Sequence, residues 1–246
     1  MLLHSEDVEL YSRNKNIIFE AENQRRISTK LVAKIVAKLS RLSVSPSRVV
    51  FSERLVEYPL IFQYLDRNCK SILDFGPVED LMPIHLASLG YEVTGLDLRP
   101  YPFTHPNFMF IQTDILGWDP PREEYDCAIS VSTIEHVGLG GYGDPTSSKG
   151  DKIAVQKLLA SLKSGGKLIV TVPFGKFAVE RNMRIYNYEK LCELIPNINV
   201  ARFFFKPNRY GSWTETSWSE INNLEYEDYY KNTPVQGVAL VVTKKL

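Results

Sequence analysis

The chain has 246 residues, of which 44% are hydrophobic, and its 29 basic residues balance 29 acidic ones. The length suffices for one domain with a substantial core, and the neutral balance argues against a protein that binds nucleic acid through its overall charge. Three dispersed cysteines without a C-x-x-C pair give no metal signature and favour a reducing, cytoplasmic location.

Residues 1–50 predict an N-terminal helical extension, or cap, attached to a main domain over residues 51–246. Apolar residues recur at helical spacing from Leu31 to Leu42, and no acidic residue occurs between Asn23 and Leu42. A basic amphipathic helix of this kind either packs on the domain with its charges solvated or contacts an anionic surface, and both alternatives stay open.

Apolar runs after residue 70 predict β-strands, and the segments between and before them predict helices. The strands cover residues 71–75, 91–96, 108–112, 125–132, 166–172 and 236–243, and the helices cover residues 53–68, 80–89, 150–163 and 187–195. Strands that alternate with helices predict an α/β fold with a mostly parallel sheet. The last strand follows an irregular insert, residues 207–234, rather than a crossover helix, so we expect it to run antiparallel.

The turn after the first predicted strand reads Gly76-Pro77-Val78-Glu79-Asp80. A dinucleotide site requires G-x-G-x-x-G here, because glycines let the backbone approach the pyrophosphate at the start of a helix. Two carboxylates at that position repel a phosphate and favour a cation instead, although Asp80 also suits capping of the helix that follows. The turn therefore argues against NAD as the cofactor.

Three features of this region resemble class I S-adenosylmethionine-dependent methyltransferases. They are Asp74-Phe75-Gly76 at the end of the first strand, Asp97 at the end of the second, and Asp114-Ile115 after the third. The resemblance implies a three-layer, Rossmann-like fold with a seven-stranded sheet and S-adenosyl-L-methionine as cofactor. It also implies that Asp97 accepts hydrogen bonds from the ribose hydroxyls, as a carboxylate readily does, and that Asp114 and Ile115 lie beside the adenine.

The same resemblance extends the cofactor site to the residues beside these motifs. We expect contacts from the ends of the first, second and fourth strands, namely from Asp74, Phe75, Gly76, Pro77, Glu79, Leu98 and Ser132. The turn departs from the family pattern D-x-G-x-G-x-G, because Val78 and Asp80 replace the second and third glycines. A non-catalytic scaffold or cofactor-binding module with the same fold is therefore the alternative to an enzyme.

The fourth strand is followed by Glu135-His136-Val137 and a glycine-rich stretch that ends at Pro145. This segment resembles small-molecule methyltransferases, and in detail a poorly characterised subgroup with an EHVGLGxYGDP-type segment that is thought to act on glycans. A histidine titrates near neutrality and can accept a hydroxyl proton, so His136, with Glu135, is the catalytic candidate for O-methylation rather than N-methylation. A histidine that only hydrogen-bonds the loop or the edge of the cofactor remains the alternative, and Glu135 alternatively anchors the loop or contacts the cofactor.

The acceptor is predicted to be a small molecule or glycan, with no metal and no nucleic acid. Tyr142 in the glycine-rich stretch, Arg184 and Tyr186 in an R-x-Y segment, and Trp213 in the insert are the substrate-binding candidates. Aromatic planes among carboxylates suit stacking on sugar rings. Arg184 and Tyr186 alternatively tie a loop to the sheet, and Trp213 alternatively packs the insert onto the domain. The oligomeric state stays open.

Overall fold

A computed structural model of the chain describes residues 52–66, 68–180, 182–208, 211–225 and 236–246. The predicted helical extension over residues 1–50, and with it the predicted contact with an anionic surface, lies outside the described residues. Residues 52–246 form one compact unit. None of the helices in the described part is long and apolar enough to cross a membrane.

Five α-helices and ten strands make up the described chain. The helices are α1 (Arg54–Tyr64), α2 (Met82–Ser88), α3 (Gly150–Ser161), α4 (Tyr188–Leu194) and α5 (Trp218–Ile221). The strands are β1 (Ser71–Phe75), β2 (Glu92–Asp97), β3 (Phe108–Gln112), β4 (Tyr125–Val131), β5 (Leu162–Pro173), β6 (Ala178–Glu180), β7 (Met183–Ile185), β8 (Ile198–Lys206), β9 (Thr214–Thr216) and β10 (Gln236–Lys244). Short 3-10 turns, Pro77–Glu79 and Ile134–His136, follow β1 and β4.

The main sheet has eight strands in the order β3-β2-β1-β4-β5-β10-β8-β9, and β6 and β7 form a separate hairpin. Strands β1 to β5 are mutually parallel, and Ile72 of β1 lies between Val93 of β2 and Cys127 of β4. The chain moves outward from β1 to β3 and then returns to place β4 on the other side of β1. Such a reversal opens a crevice at the carboxyl ends of the two strands.

The predicted α/β fold with an antiparallel last strand is confirmed, because β10 runs antiparallel to both β5 and β8. The predicted seven-stranded sheet is wrong, since the described sheet has eight strands. The additional strand β9 pairs antiparallel with β8 inside the stretch that was predicted to be irregular. Strand β8 was not predicted either, because the run Phe203-Phe204-Phe205 hides the alternation of apolar and polar residues.

Helices cover both faces of the sheet, which gives three layers. Ile169 of β5 packs with α1 and α2, whereas its neighbours Leu168 and Val170 pack with α3 and α4. Successive strand residues point to opposite faces, so this alternation divides the core into two clusters. Each fully buried large apolar side chain contributes roughly 1.5–3 kcal/mol, which makes the two clusters the main source of stability.

Helix α1 runs back along the sheet before β1 begins. Lys167 of β5 lies opposite Cys127, near the beginning of β4, and its ammonium donates to the Tyr64 carbonyl. The end of α1 therefore lies near the amino end of β4. The beginning of the helix, Arg54, lies at the opposite edge, in the wall of the crevice. A helix joined to a strand by a short link must run antiparallel to it, so the fold brings α1 to the site.

Candidate functional site

A cavity of about 250 Å³ lies at the carboxyl ends of the central strands. Most of the predicted site residues line it: Phe75, Gly76, Glu79, Asp97, Leu98, Asp114, Ile115, Ser132, Glu135, His136 and Tyr142. Residues far apart in the sequence meet here because parallel strands end at one edge of the sheet. The predicted cofactor-binding and catalytic residues therefore share one space.

Gly76 ends β1 in a conformation that other residues rarely adopt. Its φ angle is +82°, and a Cβ at this position would lie 2.1 Å from Thr133 Cγ2. The Gly76 amide donates to the Leu96 carbonyl at 2.9 Å, which fixes the turn to β2. The single glycine is therefore required twice, for its backbone angle and for the close approach of the turn after β4.

The three residues after Pro77 have different surroundings. Glu79 lines the cavity, and its carboxylate pairs with the Arg99 guanidinium at 2.6 Å. Asp80 accepts the Met82 amide at 2.8 Å and so holds the start of α2, and burial raises its pKa to about 6. The residues that line the cavity do not include Val78 or Asp80. The two substituted glycine positions thus leave the cavity open.

Asp97 is held by backbone amides at the end of β2. Its Oδ1 accepts the Arg99 amide at 2.9 Å, and its Oδ2 accepts the Val78 amide at 3.3 Å. The carboxylate is 6% exposed, and both oxygens are oriented by the main chain. Each carboxylate oxygen has a second lone pair, so Asp97 can still accept hydrogen bonds from a diol in the cavity.

Asp114 and Ile115 form the wall beyond β3. Asp114 Oδ1 accepts the Leu116 amide at 3.0 Å, which shapes the turn, and Ile115 is 3% exposed. An apolar side chain next to a carboxylate suits a flat heterocycle that carries an amino group.

Ser132 leaves β4 with a φ of +44°, an unusual angle for a residue other than glycine. Its hydroxyl donates to Glu57 Oε1 at 2.6 Å, and Glu57 Oε2 accepts from Arg54 at 2.6 Å. Glu57 is completely buried. Helix α1 thus supplies the carboxylate that holds the strained residue and places the Arg54 guanidinium at the cavity.

Glu135 is the most unusual side chain in the cavity wall. It is 1% exposed, and its Oε2 has no hydrogen-bond partner in the described part of the protein. Burial raises its pKa well above the ordinary value, so the folded chain favours the neutral carboxylic acid. Its Oε1 lies 3.8 Å from His136 Nε2.

The His136 imidazole is fixed through one nitrogen. Its Nδ1 lies 2.5 Å from the Asn182 carbonyl oxygen, which only accepts hydrogen bonds, so Nδ1 carries the proton. Burial lowers the pKa of His136, which favours the neutral ring. Nε2 then keeps its lone pair and can accept a proton.

The glycine-rich stretch after His136 folds into a loop, residues 138–145, that contributes Tyr142 and Asp144 to the wall. Asp144 Oδ2 accepts the Gly138 amide at 2.7 Å, and its Oδ1 accepts the Tyr142 amide at 3.3 Å. The Tyr142 ring meets His136 edge-on, with the ring centroids 5.3 Å apart. One side chain therefore organises the loop that carries Tyr142 against the histidine.

Arg184 and Tyr186, two of the substrate-binding candidates, lie behind the cavity wall and do not line it. Arg184 donates to the carbonyls of Glu135 and Val137 at 3.2 and 2.8 Å. The Tyr186 hydroxyl donates to Asp151 at 2.9 Å, and both side chains are almost fully buried. Their contacts match the alternative in which they tie the loop to the sheet.

Three other candidates also lie outside the lining. Trp213 packs against the cluster of α1 and α2, with the Lys206 ammonium 5.8 Å from its ring centroid. Asp74 is buried within β1, where burial raises its pKa well above the ordinary value, and Pro77 is buried in the turn. The described residues contain no group of three or more His, Cys, Asp or Glu side chains that could hold a metal ion.

Sequence reasoning missed several residues of the wall, of which Arg54, Arg99 and Met183 are the most informative. Arg99 comes two residues after the predicted ribose carboxylate, and Arg54 begins a predicted helix that precedes β1. The short link between that helix and β1 was a usable signal for Arg54. Met183 lies in the β6–β7 hairpin, which carried no comparable sequence signal.

The described fold is similar to solved structures of S-adenosylmethionine-dependent methyltransferases. One from Methanosarcina mazei aligns with a TM-score of 0.54 and 17% identity, covering 77% of this chain and 98% of its own. The N-methyltransferase NodS from Bradyrhizobium japonicum WM9, in complex with S-adenosyl-L-homocysteine, aligns with a TM-score of 0.52 and 14% identity. The alignment covers 83% of this chain and 90% of NodS. Coclaurine N-methyltransferase, bound to N-methylheliamine and S-adenosylhomocysteine, aligns with a TM-score of 0.52 and 12% identity. The alignment covers 82% of this chain and 77% of that enzyme. At these low identities the structural likeness shows the fold alone.

Residues 112–230 match the family model described as "Caenorhabditis protein of unknown function, DUF268". The match begins at the last residue of β3, so it contains the Glu135-His136 turn but neither Gly76 nor Asp97. No curated protein sequence matches the chain.

Proposed function

We propose that the protein is an S-adenosylmethionine-dependent methyltransferase that methylates a hydroxyl group of a small molecule or glycan. The observation that carries this proposal is the single cavity that joins Asp97 and Asp114 with His136 at the strand reversal between β1 and β4. Ligands of such sheets bind at this place. The shared fold with methyltransferases supports the assignment.

The cavity wall fits the proposed cofactor group by group. Asp97 presents oriented carboxylate oxygens for a ribose diol, and Ile115 with Asp114 suits the adenine. The Arg54 guanidinium, which also pairs with Glu57, suits the carboxylate of the methionine portion. S-adenosylmethionine carries no phosphate, so the acidic residues of the wall do not exclude it.

The size of the cavity limits what it holds at one time. Its volume of about 250 Å³ lies just below the range for small-molecule sites, which begins at about 300 Å³. The described cavity is therefore small for a cofactor and an acceptor together.

The cofactor, when bound, supplies an activated methyl group, and the chain supplies position and a proton acceptor. His136 Nε2 takes the proton that the acceptor hydroxyl loses, because Nδ1 is already occupied by the Asn182 carbonyl. Neutral Glu135, whose Oε1 lies 3.8 Å from that nitrogen, can donate a hydrogen bond to the acceptor and leaves the Nε2 lone pair free. Exact placement contributes more than the base does, with about 7–11 kcal/mol available from orientation.

Isothermal titration with S-adenosylhomocysteine tests cofactor binding without knowledge of the acceptor. We expect saturable binding to the wild-type chain and none to Asp97→Ala, because the ribose loses its carboxylate. Asp119→Ala, an exposed aspartate outside the lining, serves as the matched control and keeps wild-type affinity. Failure of the wild-type chain to bind at millimolar ligand rules out the proposed cofactor.

Methyl transfer itself is tested against panels of hydroxyl and amine acceptors with isotopically labelled cofactor. Transfer to hydroxyl acceptors that is lost in His136→Asn supports the proposal. Transfer only to amines assigns N-methylation instead. Binding of the cofactor without transfer to any acceptor favours the alternative of a non-catalytic cofactor-binding module.

A further inference from the structure

Arg99 contacts three different parts of the cavity wall. Its backbone amide and its Nε lie 2.9 and 3.5 Å from Asp97 Oδ1, and its Nη1 lies 2.6 Å from Glu79 Oε1. The guanidinium carbon lies 4.5 Å from the centroid of the Tyr142 ring. One side chain thus touches the end of β2, the turn after β1 and the loop over residues 138–145.

The contact with Tyr142 continues to the imidazole. The Tyr142 and His136 rings meet at an interplanar angle of 82° with centroids 5.3 Å apart, an edge-to-face arrangement. Tyr142 is 41% exposed, so much of its side chain lies at the surface. Arg99 and His136 both contact its ring.

We propose that Arg99 is a positioning residue that holds Tyr142 against His136 and thereby couples the Asp97 end of the cavity to the histidine. Glu79 aligns the guanidinium, and Asp97 ties its backbone to the end of β2. A ligand that binds Asp97 then also stabilises the loop, and the loop stabilises the ligand to the same extent. The benefit for methyl transfer rests on the proposed function, whereas the positioning itself does not.

The first test is nuclear magnetic resonance of the full chain with labelled histidine and tyrosine, without ligand. The chain has four histidines, so the His136 signal is assigned by comparison with His136→Asn. We expect Arg99→Met to abolish the cross-peaks between the Tyr142 and His136 rings. Arg99→Lys keeps a cation beside Glu79 and Tyr142, and we expect it to retain part of their intensity. Unchanged cross-peaks in Arg99→Met overturn the proposal.

A pH titration of the same signals separates positioning from a direct effect of charge. The charged groups that act on His136 are Arg99, which lowers its pKa, and Glu79 and Asp144, which raise it, beside Glu135 at 3.8 Å and the Asn182 carbonyl. Tyr142→Leu keeps every one of these charges but removes the ring. We expect the pKa of His136 to rise toward 6.5 in both Arg99→Met and Tyr142→Leu. A rise in Arg99→Met alone means that Arg99 acts only through its charge, which contradicts positioning.

Arg202→Met is the matched control. Arg202 also pairs with a glutamate, Glu215, at 2.6 Å and lies 5.4 Å from the centroid of the Phe204 ring, but on β8 and outside the cavity lining. The Arg202→Met variant loses one ion pair with a glutamate, one cation–ring contact and one positive charge, as Arg99→Met does. We expect the His136 signals in this variant to be those of the wild-type chain.

Ligand affinity completes the test. We expect Arg99→Met to bind S-adenosylhomocysteine about fivefold more weakly than the wild-type chain, because it loses one cation–ring contact. Arg202→Met should bind it with wild-type affinity. Equal affinities of Arg99→Met and the wild-type chain overturn the coupling. If the wild-type chain does not bind the compound at all, the proposed function fails, and the resonance data from the free protein still decide whether Arg99 positions Tyr142.

Discussion

The turns after β1 and β4 lie side by side but are built in opposite ways. Both strands end at the same level, with Phe75 opposite Ser130, and a short 3-10 turn follows each of them. In the turn after β1, Asp80 accepts the amide of Met82, the first residue of α2, and Glu79 pairs with Arg99. In the turn after β4, Ser132 has a positive φ, and one buried oxygen of Glu135 has no hydrogen-bond partner among the described residues.

The difference indicates that the two turns have different roles. Polar groups that pair locally make a rigid frame, and a rigid frame suits the binding of an invariant cofactor. Strained backbone and unpaired buried groups cost stability, and they persist mainly where a ligand or a reaction uses them. The turn after β4 is therefore the place at which to look for the chemistry.

The largest expected effect on stability comes from a substitution that makes the turn after β1 clash with the turn after β4. Gly76→Ala places a Cβ 2.1 Å from Thr133 Cγ2 and retains a φ of +82°, so we expect a loss of unfolding free energy. The loss is about 3–4 kcal/mol, measured by urea denaturation, together with loss of S-adenosylhomocysteine binding. Thr133→Ala in the same chain should recover part of the stability.

Gly165→Ala is the matched control for that substitution. Gly165 has a φ of +74°, but a Cβ there meets nothing within 4 Å. Gly165→Ala therefore measures only the cost of a positive φ for a residue with a Cβ, about 1–2 kcal/mol of unfolding free energy. Equal losses for Gly76→Ala and Gly165→Ala would show that the contact between the two turns costs nothing.

The next effect tests how the strained start of the turn after β4 is held. Glu57→Ala removes the acceptor of both Ser132 and Arg54, and we expect it to lower the unfolding free energy by about 2–3 kcal/mol. Glu57→Gln retains an acceptor but no charge and should lose about half of that. Gln63→Ala, an exposed position in the same helix, should stay within about 0.5 kcal/mol of the wild-type chain. A Glu57→Ala variant as stable as Gln63→Ala would mean that Ser132 needs no support.

The smallest effect measures the cost of the unpaired carboxyl. The folded chain keeps the Glu135 proton to higher pH than the unfolded chain does, because burial raises its pKa above the ordinary 4.5. The unfolded state therefore releases the proton first, and wild-type stability falls as pH rises above 4.5. Glu135→Gln cannot ionise, so we expect it to match the wild-type chain near pH 4 and to exceed its stability by about 1 kcal/mol at pH 8. A difference that does not change with pH would contradict a buried neutral carboxylic acid.

Several elements were predictable because their signals are local. Strand β1, α3 and β10 follow directly from apolar runs and helical spacing, and all three lie where the pattern places them within a few residues. The acids at strand ends were also predictable, since the carboxyl ends of parallel strands meet at one edge of the sheet. Strand β9 was not predictable, because three polar residues form a strand only when β8 offers them an edge.

The sequence by itself determined the fold class and the edge of the sheet that carries the cavity, because these follow from local periodicity and parallel strand direction. The resemblance to methyltransferase motifs supplied Asp97, Asp114 and His136 as candidates. Only the tertiary structure decided which side chains face that cavity. Arg184 and Tyr186 point into the core behind the loop, whereas Arg54 and Arg99 reach the wall. The physical reason is that burial and pairing depend on contacts between segments distant in the chain, which no local pattern records.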